Sequence, residues 1–179
     1  MRKSIMAGIA ICCFIGITNA QKVITSQDFE ALEKKEDILS LDRDKFNTWG
    51  KSTWTVTEKK GKGFNDSDKF ATSGDEVNAT LVKYRNLEVG ETYVFSVAVK
   101  MTNADVNWKT NYAVKVLSGK EGDMHFYVNE QLKEPRQDKW QLHEGEFTVI
   151  EGRENICLQV YRWAEGVKMH VDNFKLVKI

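Results

Sequence analysis

Apolar and polar residues alternate along most of the chain from about residue 54 onward. In the segment 93–101, YVFSVAVKM, every second residue is large and apolar, and the residues between them are smaller or polar. A period of two is typical of a β-strand with one face in the core. Similar short runs, separated by Gly, Asn, Asp and Lys, predict about seven to nine strands. The pattern indicates an all-β fold, a jelly-roll β-sandwich of two antiparallel sheets.

The first twenty residues have a different pattern, with Arg2 and Lys3 ahead of an uncharged apolar run that ends in small residues at Ala20. This is typical of a secretory signal peptide. The run is too short for a membrane span, and no later segment is apolar enough to be one. We therefore predict a signal peptide at 1–20, a single β-sandwich domain at 21–179, and an exported protein that is periplasmic or extracellular.

Residues 25–47 are the exception among the remaining residues, because their apolar positions fit neither the period of a strand nor that of a helix. We expect a short first strand around Phe29, followed by an irregular or short helical insertion near the mature N-terminus.

The segment 156–163 has large side chains on both of its predicted faces. One face is aliphatic and consists of Ile156, Leu158 and Val160. The other face carries Cys157, Gln159, Tyr161 and Trp163. The aliphatic face suits the core, and the two large rings on the opposite face require a second explanation.

The charge and the cysteine content argue against two kinds of protein: one that binds nucleic acid or an anionic membrane, and one that is held together by disulfides. The chain has 26 basic and 26 acidic residues, and removal of residues 1–20 leaves 24 basic against 26 acidic, a net charge of −2. This near-neutral balance gives no basis for binding nucleic acid or an anionic membrane. Two of the three cysteines lie within residues 1–20, so no internal disulfide is expected and Cys157 is interpreted as a small buried residue.

Several motifs occur in a characteristic order between about residues 27 and 178. They are Asp28-Phe29-Glu30, the turn from Leu87 to Tyr93 that enters a long strand, Trp140 ahead of Phe147-Thr148-Val149, and the final segment from Val171 to Leu176. In this order they resemble jelly-roll carbohydrate-binding modules of families 4, 9 and 22, in the galactose-binding-like superfamily. The resemblance implies non-catalytic binding of an extracellular glycan or polysaccharide.

The resemblance also implies a structural Ca²⁺ that ties the first strand to the last. The matching acidic residues are Glu30 and Asp172. Calcium takes six to eight oxygen ligands and can join strands that are distant in sequence. The alternative is that Asp172 accepts hydrogen bonds at the strand edge and Glu30 is solvated.

The candidate ligand-binding residues are aromatic rings with polar side chains close to them in sequence. A pyranose ring stacks its C–H face on an aromatic ring, and amide and guanidinium groups bind its hydroxyls. The candidate rings are Trp163, Tyr161 and Trp108, and the candidate polar partners are Arg162, Gln159 and Asn111. The alternative is that the insertion at 25–47 covers this face, and that the rings are ordinary packing.

Two further functions stay open. The first is a structural or assembly role, in which an exported β-sandwich binds another protein through its exposed rings. The second is catalysis by a polysaccharide lyase or a glycosidase. Gln141-Leu142-His143 resembles a motif of alginate lyases, although the other strand motifs of those enzymes are missing from this chain. We expect a protein that is not an enzyme.

Overall fold

The computed structural model describes residues 21–31, 54–73, 78–84, 86–102, 112–120, 122–132, 138–162 and 167–179. Within these ranges the chain forms ten strands. They are β1 (Lys22–Gln27), β2 (Trp54–Glu58), β3 (Lys69–Ser73), β4 (Asn78–Tyr84), β5 (Thr92–Thr102), β6 (Tyr112–Lys120), β7 (Asp123–Leu132), β8 (Gln141–Thr148), β9 (Ile156–Arg162) and β10 (Lys168–Lys178). In the same ranges, no helix is long and apolar enough to span a membrane.

The strands form two antiparallel sheets. The larger sheet has six strands in the order β2-β3-β10-β5-β8, with β1 pairing along the C-terminal half of β10. The smaller sheet has four strands in the order β4-β9-β6-β7. The two sheets pack their apolar faces together, which confirms the predicted jelly-roll β-sandwich.

The core lies between the sheets and follows the alternation seen in the sequence. On β5 the residues Tyr93, Phe95, Val97, Val99 and Met101 are all buried in it. On β9 the aliphatic face, Ile156, Leu158 and Val160, belongs to the same cluster, whereas Cys157 and Gln159 do not. The predicted assignment of faces on both strands is therefore confirmed. Burying one such side chain stabilises the fold by roughly 1.5–3 kcal/mol.

Two predictions about the strands were wrong. The structure has ten strands in its described part, and β3 is one that the sequence pattern did not predict. Its sequence, KFATS, holds one large apolar residue between polar turns, so the local alternation is weak. The first strand also ends at Gln27, before Phe29. Phe29 is instead a buried residue with a φ of 65°, which is incompatible with a strand. The insertion predicted after Phe29, within residues 25–47, falls mainly outside the described residues.

A β-bulge divides β10 into two halves of opposite phase. Between Asp172 and Lys175, three steps of β10 span two steps of β5, from Ala98 to Ser96. The extra residue, with Asn173 at a φ of 47°, reverses the alternation of the strand. Val171 and Phe174 consequently both face the core, while His170 and Asp172 belong to the outer face of the six-stranded sheet.

Candidate functional site

The predicted ligand-binding residues of β9 lie on an inner strand of the four-stranded sheet, toward the end of that strand. Gln159 is in register with Thr80 on one side and Lys115 on the other. Position 161 is in register with Asn78 and Ala113, and position 162 with Tyr112. The backbone thus places Gln159 and Tyr161 in adjacent rows of the sheet. Trp163, Trp108 and Asn111 lie outside the described residues and stay predictions.

The middle of this outer face is buried, although it lies opposite the core. Gln159 is only 6% exposed, and Ala113, Leu117 and Cys157 are also buried. None of the three apolar residues belongs to the core cluster between the sheets. Among the described residues, the accessible part of this face therefore lies toward its margins.

Phe126 is an exposed ring on the same face that the sequence analysis did not select. It lies on β7 in register with Leu117, and its side chain is 40% exposed. The ammonium of Lys115 lies 5.7 Å from the centre of its ring. The period of two places Phe126 on the opposite face of β7 from its neighbours His125 and Tyr127, so the sequence did indicate that the three rings divide between two faces. A bulge at Val116–Leu117 shifts the phase of the β7 pairing, so the local pattern did not reveal which ring faces outward.

Glu30 and Asp172, the predicted calcium ligands, meet at the loop that joins β2 to β3. Glu30 Oε1 accepts hydrogen bonds from the backbone N–H groups of Asp68 (2.8 Å) and Lys69 (2.9 Å). Lys69 Nζ donates to the Glu30 carbonyl oxygen at 3.0 Å. The loop is therefore joined to the segment that follows β1.

Asp172 holds the other side of the same loop. Its Oδ2 accepts the backbone N–H of Phe64 at 2.8 Å and the hydroxyl of Ser67 at 2.6 Å. Its Oδ1 accepts the N–H of Asn173 at 2.7 Å. The residue is 1% exposed, and burial raises its pKa, against the hydrogen bonds from Ser67 and Phe64, which lower it. We call Glu30, Asp172 and the loop residues that bind them the carboxylate clasp.

The clasp supplies part of what a calcium ion requires. Two carboxylates meet there, and the charge of Glu30 raises the pKa of Asp172. However, both oxygens of Asp172 and one of Glu30 already accept hydrogen bonds from the protein, and the Lys69 ammonium lies against the Glu30 carbonyl. No group of three or more His, Cys, Asp or Glu residues in the described ranges could hold a metal. Calcium at Glu30 and Asp172 stays a prediction, and the ion would have to displace these donors.

His143, from the lyase-like motif, lies in the interior of the sandwich. Its Nε2 shares a hydrogen bond of 2.7 Å with the Tyr112 hydroxyl, and its Nδ1 lies 3.3 Å from Glu130 Oε2. Burial lowers the pKa of His143, against the charge of Glu130, and burial raises the pKa of Tyr112. The imidazole is 4% exposed and both of its nitrogens are engaged. This arrangement is a structural link between the sheets and not an accessible catalytic base.

Comparisons with known proteins agree with the fold. No protein-family model matches the sequence, and neither does any curated protein. The structure is similar to the family 22 xylan-binding domain of Paenibacillus barcinonensis Xyn10C, with a TM-score of 0.59 and 16% identity over 89% of this chain and 96% of that one. It is also similar to a family 4 carbohydrate-binding module, with a TM-score of 0.51 and 15% identity over 82% and 95% of the two chains.

A third similar structure belongs to a larger protein. It is the N-terminal part of endo-1,4-β-D-xylanase 10B of Clostridium thermocellum that contains a CBM22 module and a GH10 module, with a TM-score of 0.60 and 13% identity. The match covers 88% of this chain and 28% of that chain, so this chain spans less than a third of its length. The jelly-roll resemblance stated from the sequence is thus confirmed at the level of the fold.

Proposed function

We propose that this protein is an exported, non-catalytic glycan-binding protein. The observation that carries the proposal is the match of almost the whole sandwich to a module of nearly equal length that is named for binding xylan. Folds of this kind host several functions, so the proposal also needs a surface suited to a sugar. The candidate surface is the margin of the outer face of the four-stranded sheet.

The β9 end of this face has the chemistry that a sugar site needs. Tyr161 follows the buried Gln159 by one row, and Trp163 follows it by two rows in the sequence. We infer that a pyranose stacks on these two rings, since the described residues at the centre of the face are buried. Trp108 and Asn111 complete the predicted site as aromatic and polar partners, whereas Arg162 occupies the alternate position of β9, in register with the core residue Tyr112. Selectivity would come from a few placed polar groups beside the rings.

A protein partner is the second candidate. Met124 and Phe126 are both exposed on β7, which is an edge strand of the four-stranded sheet. An exposed edge with large apolar side chains is a place where another chain can pair or pack. This observation favours an assembly role in which the same face binds protein.

Affinity electrophoresis of the purified protein against a panel of neutral and acidic polysaccharides tests the proposal. We expect at least one glycan to retard the protein, and the retardation to disappear in Trp163→Ala or Tyr161→Ala. Leu142→Ala, an exposed apolar residue on β8 of the other sheet, is the matched control and should leave the retardation unchanged. Each variant must first show the same melting transition as the parent protein.

The other outcomes separate the candidates. Retardation that neither aromatic substitution changes would place the sugar elsewhere and refute the proposed site. If none of the glycans retarded the parent protein, glycan binding would be wrong. A partner that is captured by the parent protein and lost in Phe126→Ala would then support the assembly role.

A further inference from the structure

A cavity of about 480 Å³ opens on the outer face of the six-stranded sheet, on the side of the sandwich away from the proposed glycan surface. Four lysines line it: Lys59, Lys62, Lys100 and Lys168. Two of them lie in the β2–β3 loop, one on β5 and one at the start of β10. The volume is within the range of small-molecule sites, so the cavity has room for more than an inorganic ion.

Lys100 is held in one position by the groups around it. Its ammonium donates to the Lys62 carbonyl oxygen at 2.9 Å and lies 4.4 Å from the centre of the Trp140 ring and 4.9 Å from that of Phe70. Trp140 Nε1 donates to the same carbonyl at 2.9 Å. The cation–π contacts and the shared carbonyl fix the side chain before any ligand arrives.

Three of the four cavity lysines have no carboxylate close to them in the described part of the chain. There, no carboxylate lies within ion-pair distance of Lys59, Lys62 or Lys100. Elsewhere on the surface, Lys178 is paired with Glu88 at 2.6 Å, and Arg153 with Asp123 at 2.6 Å. Burial, followed by the charge of Lys59, lowers the pKa of Lys100, while the charges of Asp138 and Asp172 raise it.

The imidazole of His170 reports the same positive potential. Its Nδ1 and Nε2 each lie 2.9 Å from a hydroxyl, those of Thr72 and Thr102. Burial, followed by the charges of Lys100, Lys59 and Lys168, lowers its pKa to about 4. The ring is therefore neutral at pH 7, and three lysines act on one point of the cavity wall.

The distribution of charge over the whole chain indicates which kind of anion suits the cavity. A protein that binds nucleic acid usually has a basic stripe that follows the phosphate backbone of its ligand, and an overall excess of basic residues. This chain has equal numbers of basic and acidic residues. Here, instead, four lysines line one concave site together with the aromatic ring of Phe70. A site of this kind suits a single oxyanion group attached to a compact organic residue.

We propose that the lysine cavity binds the oxyanion group, a carboxylate or a sulfate ester, of an acidic sugar residue in a polysaccharide. Lys100 is the pre-positioned cation, and Lys59, Lys62 and Lys168 surround the anion. This inference rests on the proposed function, because it names the class of glycan and adds a second contact on the opposite sheet. The cavity is distinct from the predicted site at Tyr161 and Trp163.

Calorimetric titration of the purified protein with four probes tests the proposal. The probes are a uronate oligosaccharide, a sulfated oligosaccharide, a neutral xylo-oligosaccharide of similar length, and sodium sulfate. In Lys59→Gln/Lys62→Gln we expect an acidic oligosaccharide to bind about tenfold more weakly, as for the loss of one or two charge-assisted contacts. The neutral oligosaccharide should bind equally well to both proteins. The comparison of uronate with sulfate ester identifies the oxyanion.

The control variant also loses two lysine charges, but at positions outside the cavity. Lys22 and Lys175 are exposed lysines on β1 and on the C-terminal half of β10. Lys22→Gln/Lys175→Gln should change acidic binding by less than twofold. Raising the ionic strength should weaken the acidic ligands and leave the neutral one unchanged, because salt screens exposed charges.

Each remaining outcome overturns a defined part of the inference. If acidic oligosaccharides bind and Lys59→Gln/Lys62→Gln has no effect on their affinity, the cavity is not their binding site, although the protein does bind glycans. Equal affinity for acidic and neutral probes overturns the preference for acidic glycans. If only sodium sulfate binds, and its binding is lost in the double variant, the cavity binds a free anion. That result contradicts the proposal that the anion belongs to a glycan. Tighter binding of a single-stranded oligonucleotide than of any acidic glycan overturns the proposal in favour of nucleic acid.

Discussion

The outer face of the four-stranded sheet is mainly apolar where it is buried, whereas the outer face of the six-stranded sheet is polar and charged. On the first, Ala113, Leu117 and Cys157 are buried without belonging to the core between the sheets. On the second, Asp172 and His170 are buried with specific hydrogen-bond partners. Apolar surface can be covered by any well-packed apolar group, but a buried polar group needs particular donors and acceptors. Single substitutions should therefore cost more on the polar face.

Asp172→Ala should have the largest effect on stability. It leaves the N–H groups of Phe64 and Asn173 without their acceptor, and it removes the shorter of the two hydrogen bonds of the Ser67 hydroxyl, in a partly buried position. We expect a loss of about 3 kcal/mol in the free energy of unfolding, measured by urea denaturation. Glu146→Ala, an exposed carboxylate on β8, is the control and should change stability by less than about 0.5 kcal/mol. Equal costs for both variants would contradict the structural role of the clasp.

His170 should make the polar face sensitive to acid. The pKa of His170 is lowered from 6.5 to about 4 in the folded protein. Between pH 6.5 and pH 4 the imidazole is therefore protonated in the unfolded chain and neutral in the folded protein. The stability contributed by the neutral imidazole is complete above pH 6.5 and is lost as the pH falls through about 4. We expect the loss to be about 2–3 kcal/mol between pH 7 and 4.

Comparison with His170→Gln isolates this contribution. Asp172 has a raised pKa and acts with the opposite sign, but it is present in both proteins and cancels in the difference. Stability should fall more steeply with acid in the parent protein than in the variant. Parallel curves between pH 7 and 4 would show that the imidazole is not the group responsible.

Cys157→Ala tests the apolar face and should cost about 1 kcal/mol or less. The thiol is small and buried, and substitution by alanine removes one heavy atom. Cys157 lies outside the core cluster between the sheets. Thermal or urea unfolding of the variant gives the cost directly. A cost equal to that of Asp172→Ala would remove the contrast between the two faces.

Calcium should have the smallest effect of all. The oxygens of the clasp are largely occupied by protein donors, so we expect the melting temperature with excess calcium and with chelator to differ by less than about 2 °C. A bound ion at a hundred times its Kd would add about 2.7 kcal/mol, which is roughly 5–10 °C for a chain of this length. A shift of that size, lost in Glu30→Gln, would establish the ion at Glu30 and Asp172.

Local alternation predicted most of the fold, and its failures have local causes. The faces of β5 and β9 follow directly from a period of two, because side chains of a strand point alternately to either side. β3 was missed because KFATS contains one large apolar residue. The position of the first strand was wrong because Phe29, although buried, lies in a left-handed backbone conformation after the strand has ended.

The candidate sites were less predictable, because they depend on pairing between distant strands. The resemblance placed Glu30 and Asp172 together, and the structure does bring both to one loop. It did not indicate Ser67, Phe64 or Lys69, which provide the donors. Phe126 was overlooked because a bulge shifts the pairing of its strand by one residue.

By itself, the sequence determined the two-residue period, the apolar faces and hence the β-sandwich, since these properties depend only on neighbouring residues. Only the tertiary structure decided which charges meet. Lys59, Lys100 and Lys168 are separated by tens of residues, and they share one cavity because β10 pairs with both β3 and β5. A nearly neutral composition concealed this local concentration of charge, because net charge is a sum over the chain whereas the electrostatic potential depends on distance in space.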